Sequence, residues 1–241
     1  NPWVIYKNNQ MENILLNDNL DNKKYILTGD SFSLMYAEFF KKSNLNVLAI
    51  SYQMCPTIDI NNIIKSSKDC EYAKNRLKSE LEKGSRDVII SLRWDLYENQ
   101  IKEIGDKSFD KGLYKLISNI IEIGGKNRTY YILGTYHQPS YNPFSCLRNN
   151  SMTKNSFISN YFSSFSCPTK ESDENDDLSI DYSISNLSNQ FDNIKFIDTR
   201  KIQCENKECV IIKNGEPLII MPHLTIYGSE YFGDEIIKTI K

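Results

Sequence analysis

The sequence predicts an α/β sandwich built on a mainly parallel sheet, and two features carry that prediction. Short apolar runs of strand length recur along the chain, and amphipathic stretches with helical spacing separate them. Tyr25-Ile26-Leu27-Thr28 reads as a buried strand that stops at Gly29-Asp30. A helix is expected from Phe32 to Lys42, turning Leu34, Tyr36, Phe39 and Phe40 toward the sheet. Asn46 to Ser51 is the second strand, and the helix from Glu71 to Lys83 ends at Gly84, a usual C-terminal stop. Val88-Ile89-Ile90-Ser91-Leu92 is the third strand. Asp110 to Ile123 forms a helix with Leu113, Leu116, Ile117 and Ile120 on one side, closed by Gly124-Gly125. Tyr130-Tyr131-Ile132-Leu133 is the fourth strand.

A Pro-containing loop from Gly134 to Asn150 then interrupts the rhythm, and loops of that length inside domains are commonly functional. Weaker helices near Thr153–Ser164 and Leu178–Phe191 flank an acidic stretch of Glu171, Asp173, Glu174, Asp176 and Asp177, read as a solvated loop. Ile194 to Ile197 is the last strand, and a helix from Ser229 to Ile240 closes the chain. With neither repeat nor linker, residues 1–241 read as a single domain.

Composition excludes some functions. With 29 basic and 31 acidic residues the formal charge is −2, and no Lys/Arg stripe offers a nucleic-acid footprint. No apolar run approaches the ~20 residues that span a bilayer. The start, Asn1-Pro2-Trp3, has neither an initiator Met nor a signal-peptide pattern, so a piece of a longer or processed chain is expected. The six cysteines fall as neighbouring couples, Cys55/Cys70, Cys146/Cys167 and Cys204/Cys209. Structural disulfides in an oxidising compartment are preferred over free thiols or a metal site, since no Cys-x-x-Cys occurs. Cys204 to Cys209 has the short spacer of a hairpin tip. The sequons at Asn127, Asn149 and Asn186 carry little weight in an Asn-rich chain. Tyr136, Tyr141 and Phe144 in the long loop are read as packing rather than sugar-stacking groups.

Gly29-Asp30-Ser31 sits directly between a buried strand and a helix. A Ser at such a turn exposes its hydroxyl at the C-terminal edge of the sheet, where α/β proteins place ligands. Its N–H lies at a helix start, where a developing oxyanion finds donors. The competing reading is a plain helix N-cap. A nucleophilic Ser needs a base, and the chain holds just two histidines. His137 lies in the long loop, and His223 follows Pro217-Leu218-Ile219-Ile220 and precedes the last helix; both are open to the sheet edge.

With these residues in place, the chain resembles the SGNH domain fused to the C-terminus of membrane acyltransferase-3 proteins, which O-acetylate bacterial surface polysaccharides. Gly29-Asp30-Ser31 matches its first block, although Phe32 stands where the family usually has His. Ile50-Ser51-Tyr52-Gln53-Met54-Cys55-Pro56 is similar to its Cys-Pro turn, and Arg93-Trp94-Asp95-Leu96-Tyr97 to its Arg-Trp-x-x-Tyr segment. Leu133 through Cys146-Leu147-Arg148 resembles its Pro-rich loop, and Cys204 to Gly228 its closing block. The resemblance implies a three-layer α/β/α sandwich of flavodoxin-like type, with Ser31 as nucleophile and His223 as general base. Gln53, Arg93, Trp94 and His137 are the candidate oxyanion or substrate-binding residues, Arg93 being equally open to a structural ion-pair role, and neither cofactor nor metal is expected. An acyl group from an attached membrane domain would pass, outside the cytoplasm, to a glycan hydroxyl. A free-standing esterase, or a non-catalytic glycan- or partner-binding module, are the alternative readings. One departure bears on the chemistry. The Asp expected three residues before the His is Ile220, leaving Asp198 and Glu216 as the nearest carboxylates in sequence, both weak, or a dyad steered by a backbone carbonyl.

Overall fold

The computed structural model describes residues 14–17, 24–64, 66–84, 86–154, 166–174 and 177–240. An edge strand β1 (Ile14–Asn17) precedes β2 (Lys24–Gly29), the first of the buried runs. The helix expected after it is two pieces, α1 (Ser31–Leu34) and α2 (Ala37–Lys42). The break follows from the local bonding. The Ser33 hydroxyl turns back to the Asp30 carbonyl at 2.8 Å and to Ser51 Oγ at 2.6 Å. Tyr36 N–H then closes a tight turn onto the Ser33 carbonyl at 3.1 Å.

β3 (Asn46–Ser51) leads through a long connection to α3 (Lys68–Glu82), capped by the Ser67 hydroxyl. That connection is pinned to α3 by the Cys55–Cys70 disulfide and by a buried ion pair of Asp59 with Lys74 at 2.7 Å. β4 (Asp87–Ser91) is followed by α4 (Trp94–Ile104), a helix not expected from the sequence, then by α5 (Phe109–Gly124) and β5 (Tyr130–Leu133). The long loop is shorter than expected because α6 (Pro143–Lys154) starts inside it. Its first residue is a proline whose missing N–H costs nothing there. Residues 155–164 of the helix expected at Thr153–Ser164, and Asp176 of the acidic stretch, lie outside the described residues.

β6 (Lys170–Ser172), α7 (Ser179–Ser188), β7 (Ile194–Ile197) and a short unexpected α8 (Thr199–Gln203) follow. Then come the small strands β8 (Cys204–Glu205), β9 (Glu208–Val210), β10 (Ile212–Lys213), β11 (Glu216–Pro217), β12 (Ile219–Ile220) and β13 (His223–Leu224), and the closing helix α9 (Ile226–Ile240). β8 and β9 form the expected cysteine hairpin, with Cys204 opposite Cys209. Asn206 and Lys207 at its tip both have positive φ (51° and 64°), the two-residue turn that matches strand twist. Cys146 is bonded to Cys167, so all three couples pair with their neighbours.

The main sheet has the order β1-β3-β2-β4-β5-β7, parallel except for β1. Successive side chains in each strand bury on opposite faces. Ile26, Ile50, Val88, Ile90, Tyr130 and Ile132 pack under α3, α4, α5 and α7. Tyr25, Leu27, Val47, Ala49, Ile89, Tyr131 and Leu133 pack under α1, α2 and α9. The result is the expected three-layer α/β/α sandwich. In this order β2 is the switch strand, because the chain leaves it toward β3 on one side and returns to β4 on the other. A crevice opens there at the C-terminal strand ends.

Candidate active site

The site forms where β2 and β4 end side by side. Gly29 pairs with Ser91, and a Cβ built on Gly29 would lie 1.7 Å from the Ser91 carbonyl oxygen. With φ at +144°, the position admits glycine alone. This close approach brings the turn after β2 against the turn after β4. Asp30 seals the join: one carboxylate oxygen accepts Phe32 N–H at 2.8 Å, and the other accepts Arg93 N–H at 3.2 Å. The side chain is 1% exposed, and burial lifts its pKa from 3.8 to about 6 against those donors and the neighbouring Tyr97 hydroxyl.

Ser31, partly exposed, opens α1. Because α1 is a single turn, little helix dipole reaches the serine, less than a full helix would supply. The N–H groups of Phe32, Ser33 and Leu34 all turn to Asp30.

The structure brings His223, not His137, to this serine. His223 Nε2 lies 2.9 Å from Ser31 Oγ, although the residues are 192 positions apart. β12 and β13 form a minimal hairpin around a cis Met221-Pro222 bond, and Ile220 sits directly across from His223. The imidazole packs against the Phe32 ring at 5.5 Å between centroids, so the residue replacing the family's usual His forms a wall of the site. Burial, and then the Arg93 guanidinium, hold the His223 pKa below its ordinary value.

The remaining predicted residues divide. Arg93 is near enough for its charge to lower the pKa of His223, Tyr97 and Tyr136, while its Nε lies 3.3 Å from Asp95. Gln53 is exposed on the turn after β3. Trp94 corrects the expectation: it is 0% exposed and its indole N–H donates to the Leu133 carbonyl at 2.9 Å, so it packs α4 onto the sheet and offers a substrate no surface. His137 is likewise buried, its ring 3.3 Å from Glu171 and its N–H on Gln203 Oε1 at 2.7 Å. Of the carboxylates nearest in sequence to the triad gap, Asp198 caps α8 and Glu216 is exposed on β11.

Sequence reasoning missed the groups around the histidine's backbone. Tyr136, read as packing, does stack on Phe32 at 5.6 Å, but its hydroxyl also donates to the Pro222 carbonyl at 2.5 Å. Gln138 Nε2 donates to the same oxygen at 3.2 Å, and Leu224 N–H points at Met35 Sδ at 3.0 Å. Phe144 is exposed rather than packed.

The family model for the SGNH domain fused to AT3 domains matches residues 7–238. The chain belongs to that family. Among solved structures, it is similar to the periplasmic domain of a lipopolysaccharide acetyltransferase from Salmonella ser. Paratyphi A, with 17% identity and a TM-score of 0.61 over 91% of this chain and 84% of that one. A protein described as a platelet activating factor from Streptococcus pneumonia aligns at 11% identity and a TM-score of 0.53, covering 94% of this chain and 87% of that one. These likenesses carry the fold. No curated protein matches. Among the described residues, no helix of this SGNH domain is long and apolar enough to cross a membrane.

Proposed function

We propose that this SGNH domain transfers an acyl group, acetyl in the first instance, to a hydroxyl of a bacterial surface carbohydrate through an acyl-Ser31 intermediate. The observation that carries the reading is the 2.9 Å contact of Ser31 Oγ with His223 Nε2. His223 takes the hydroxyl proton as Oγ bonds to the acyl carbonyl carbon, and the oxygen that becomes negative faces Ser31 N–H and Arg93. Collapse expels the donor's leaving group, which receives the proton from His223. A sugar hydroxyl then gives its proton to His223, attacks the acyl-serine carbonyl, and leaves as the ester when the proton returns to Ser31 Oγ.

Membership in a family fused to AT3 domains supports an acyl donor delivered by an attached membrane domain. Three disulfides support an oxidising, extracytoplasmic setting. The domain of similar fold is the periplasmic domain of a lipopolysaccharide acetyltransferase, and this agrees with a glycan acceptor.

The test is release of chromophore from a nitrophenyl acetate, alone and with added oligosaccharide. Ser31→Ala and His223→Ala are each expected to abolish turnover. Turnover that survives both substitutions refutes the assignment. Acetylated sugar in the products identifies transfer, whereas acetate alone identifies an esterase using the same pair.

A further inference from the structure

We propose that Tyr136 and Gln138 are positioning residues for His223, holding the imidazole on Ser31 by clamping the backbone before it. The inference rests on the reading of Ser31 and His223 as the reacting pair. It starts from the extended segment that leaves β5, whose side chains alternate in direction as extended backbone requires.

The odd residues fasten the segment to the body of the fold. Thr135 gives both its N–H and its hydroxyl to the Asp181 carboxylate, at 2.8 and 2.6 Å, and its carbonyl accepts the Thr199 hydroxyl at 2.7 Å. The His137 peptide is gripped by Gln203, which accepts its N–H and donates to its carbonyl at 3.2 Å. The His137 ring meets Glu171, which also accepts Ser140 N–H and hydroxyl, both at 2.8 Å. Glu171 in turn lies opposite Cys209 of the cystine hairpin. The anchor is therefore a stapled sheet and two helices.

The even residues point the other way, and both end on one atom. Tyr136 Oη and Gln138 Nε2 converge on the Pro222 carbonyl, at 2.5 and 3.2 Å. Tyr136 cannot swing aside, because its ring lies between Phe32 at 5.6 Å and Phe232 at 5.8 Å. Tyr136 is buried, and burial raises its hydroxyl well above its usual pKa, so it remains a donor. On the far side of His223, Leu224 N–H is met by Met35 Sδ, and Met35 belongs to the turn that follows Ser31. The peptides on both sides of the histidine are thus fixed, one from the long loop and one from the nucleophile's own turn.

A triad carboxylate orients the imidazole through its ring nitrogen. Here Ile220 stands in the place of that carboxylate, and the contacts on the Pro222 carbonyl and the Leu224 N–H add orientation through the main chain. A misplacement of about 1 Å costs on the order of a hundredfold in rate, so a clamp of this kind has a measurable share of turnover.

The test uses Tyr136→Phe, which keeps the ring stack and removes only the hydroxyl, with Gln138→Leu as a second, milder variant. Two readouts are taken on the whole 241-residue chain. The first is kcat and KM for the nitrophenyl ester: Tyr136→Phe is expected to lower kcat roughly ten- to a hundredfold with KM unchanged, Gln138→Leu less, and the pair more than either. The second is the NMR titration of the His223 ring, identified by the resonance that His223→Gln removes. The wild-type ring titrates as one sharp signal below its ordinary midpoint. In Tyr136→Phe it broadens by exchange and its midpoint moves upward as the ring loosens toward water. Unchanged His223 signals in both variants and in their combination overturn the proposal, whatever the activity. Loss of the acyl-transfer reading shows differently, as wild-type turnover that does not depend on Ser31, and the ring titration still decides the clamp.

Discussion

Asp30 offers the sharpest quantitative check on the site's construction. Its carboxyl is 1% exposed and lifted from 3.8 to about 6, chiefly by burial. At ~1.4 kcal/mol per pKa unit, ionised Asp30 costs the folded chain roughly 3 kcal/mol. The folded value lies above the unfolded one, so the fold is free of this cost below about pH 4 and bears it in full above about pH 6. Asp30→Asn keeps an oxygen for Phe32 N–H and removes the titration. Its amide nitrogen turned toward Arg93 N–H carries a penalty of about 1–3 kcal/mol that does not change with pH. The variant is therefore less stable than wild type near pH 4, and the difference closes or reverses by roughly 3 kcal/mol toward pH 7. Urea unfolding of both proteins at a series of pH values, with the disulfides intact, measures this directly. A stability difference that stays constant across that range would refute the reasoning, since it would mean that Asp30 titrates as an ordinary carboxylate despite its burial.

Two other outcomes follow from the same structure. Because burial and Arg93 both lower the His223 pKa, the acid limb of kcat/KM for Ser31-dependent ester cleavage should fall below the ordinary histidine midpoint. Arg93→Gln should move that limb upward, though not to the ordinary midpoint, because burial is the larger cause; a limb that stays put in the variant counts against Arg93 acting on the ring. Lys74→Met strands the Asp59 carboxylate, both partners being 0% exposed, and should cost about 3–5 kcal/mol. The double variant Asp59→Asn/Lys74→Met should recover part of that loss in urea melts, and a double variant no better than the single would show that the pair is not coupled.

The parallel strands of the sheet were legible because each is a short run rich in apolar residues that needs no partner to be recognised. The expected and observed bounds of Asn46–Ser51, Tyr130–Leu133 and Ile194–Ile197 coincide. α4 carries a signal that its motif overlies: Trp94, Tyr97 and Ile101 bury one face at helical spacing within the Arg-Trp-x-x-Tyr segment and just beyond it. α8 and the two-residue strands are too short for any period to register, and the antiparallel edge strand β1 lies in a polar, Asn-rich stretch. The turn singles out Ser31 and the scarcity of histidines singles out His223, and the structure brings these two candidates within 2.9 Å of each other. The clamp on His223 was not legible. Its acceptor is the Pro222 carbonyl and one of its partners the Leu224 N–H, and every sequence offers these groups at every position. Trp94 misled for the opposite reason, since a motif residue can be there for the core alone.

What the site makes separable is the double work of a triad carboxylate, which both orients the imidazole and stabilises its charged form. The clamp proposed for His223 orients it through peptides, while the Arg93 charge opposes imidazolium. That charge is costly only while the ring alone is considered. In the tetrahedral state of the proposed reaction a proton on His223 is accompanied by a negative oxygen beside Ser31, so the same guanidinium would penalise one new charge and stabilise the other. Its net effect on the barrier depends on which charge is nearer. A weak base is also a strong conjugate acid, so a low His223 pKa slows removal of the serine proton and speeds its delivery to the departing group. Arg93 is therefore a catalytic aid if its substitution raises the His223 pKa and lowers kcat together. A rise in both would make it a structural cation that the fold tolerates at the expense of rate.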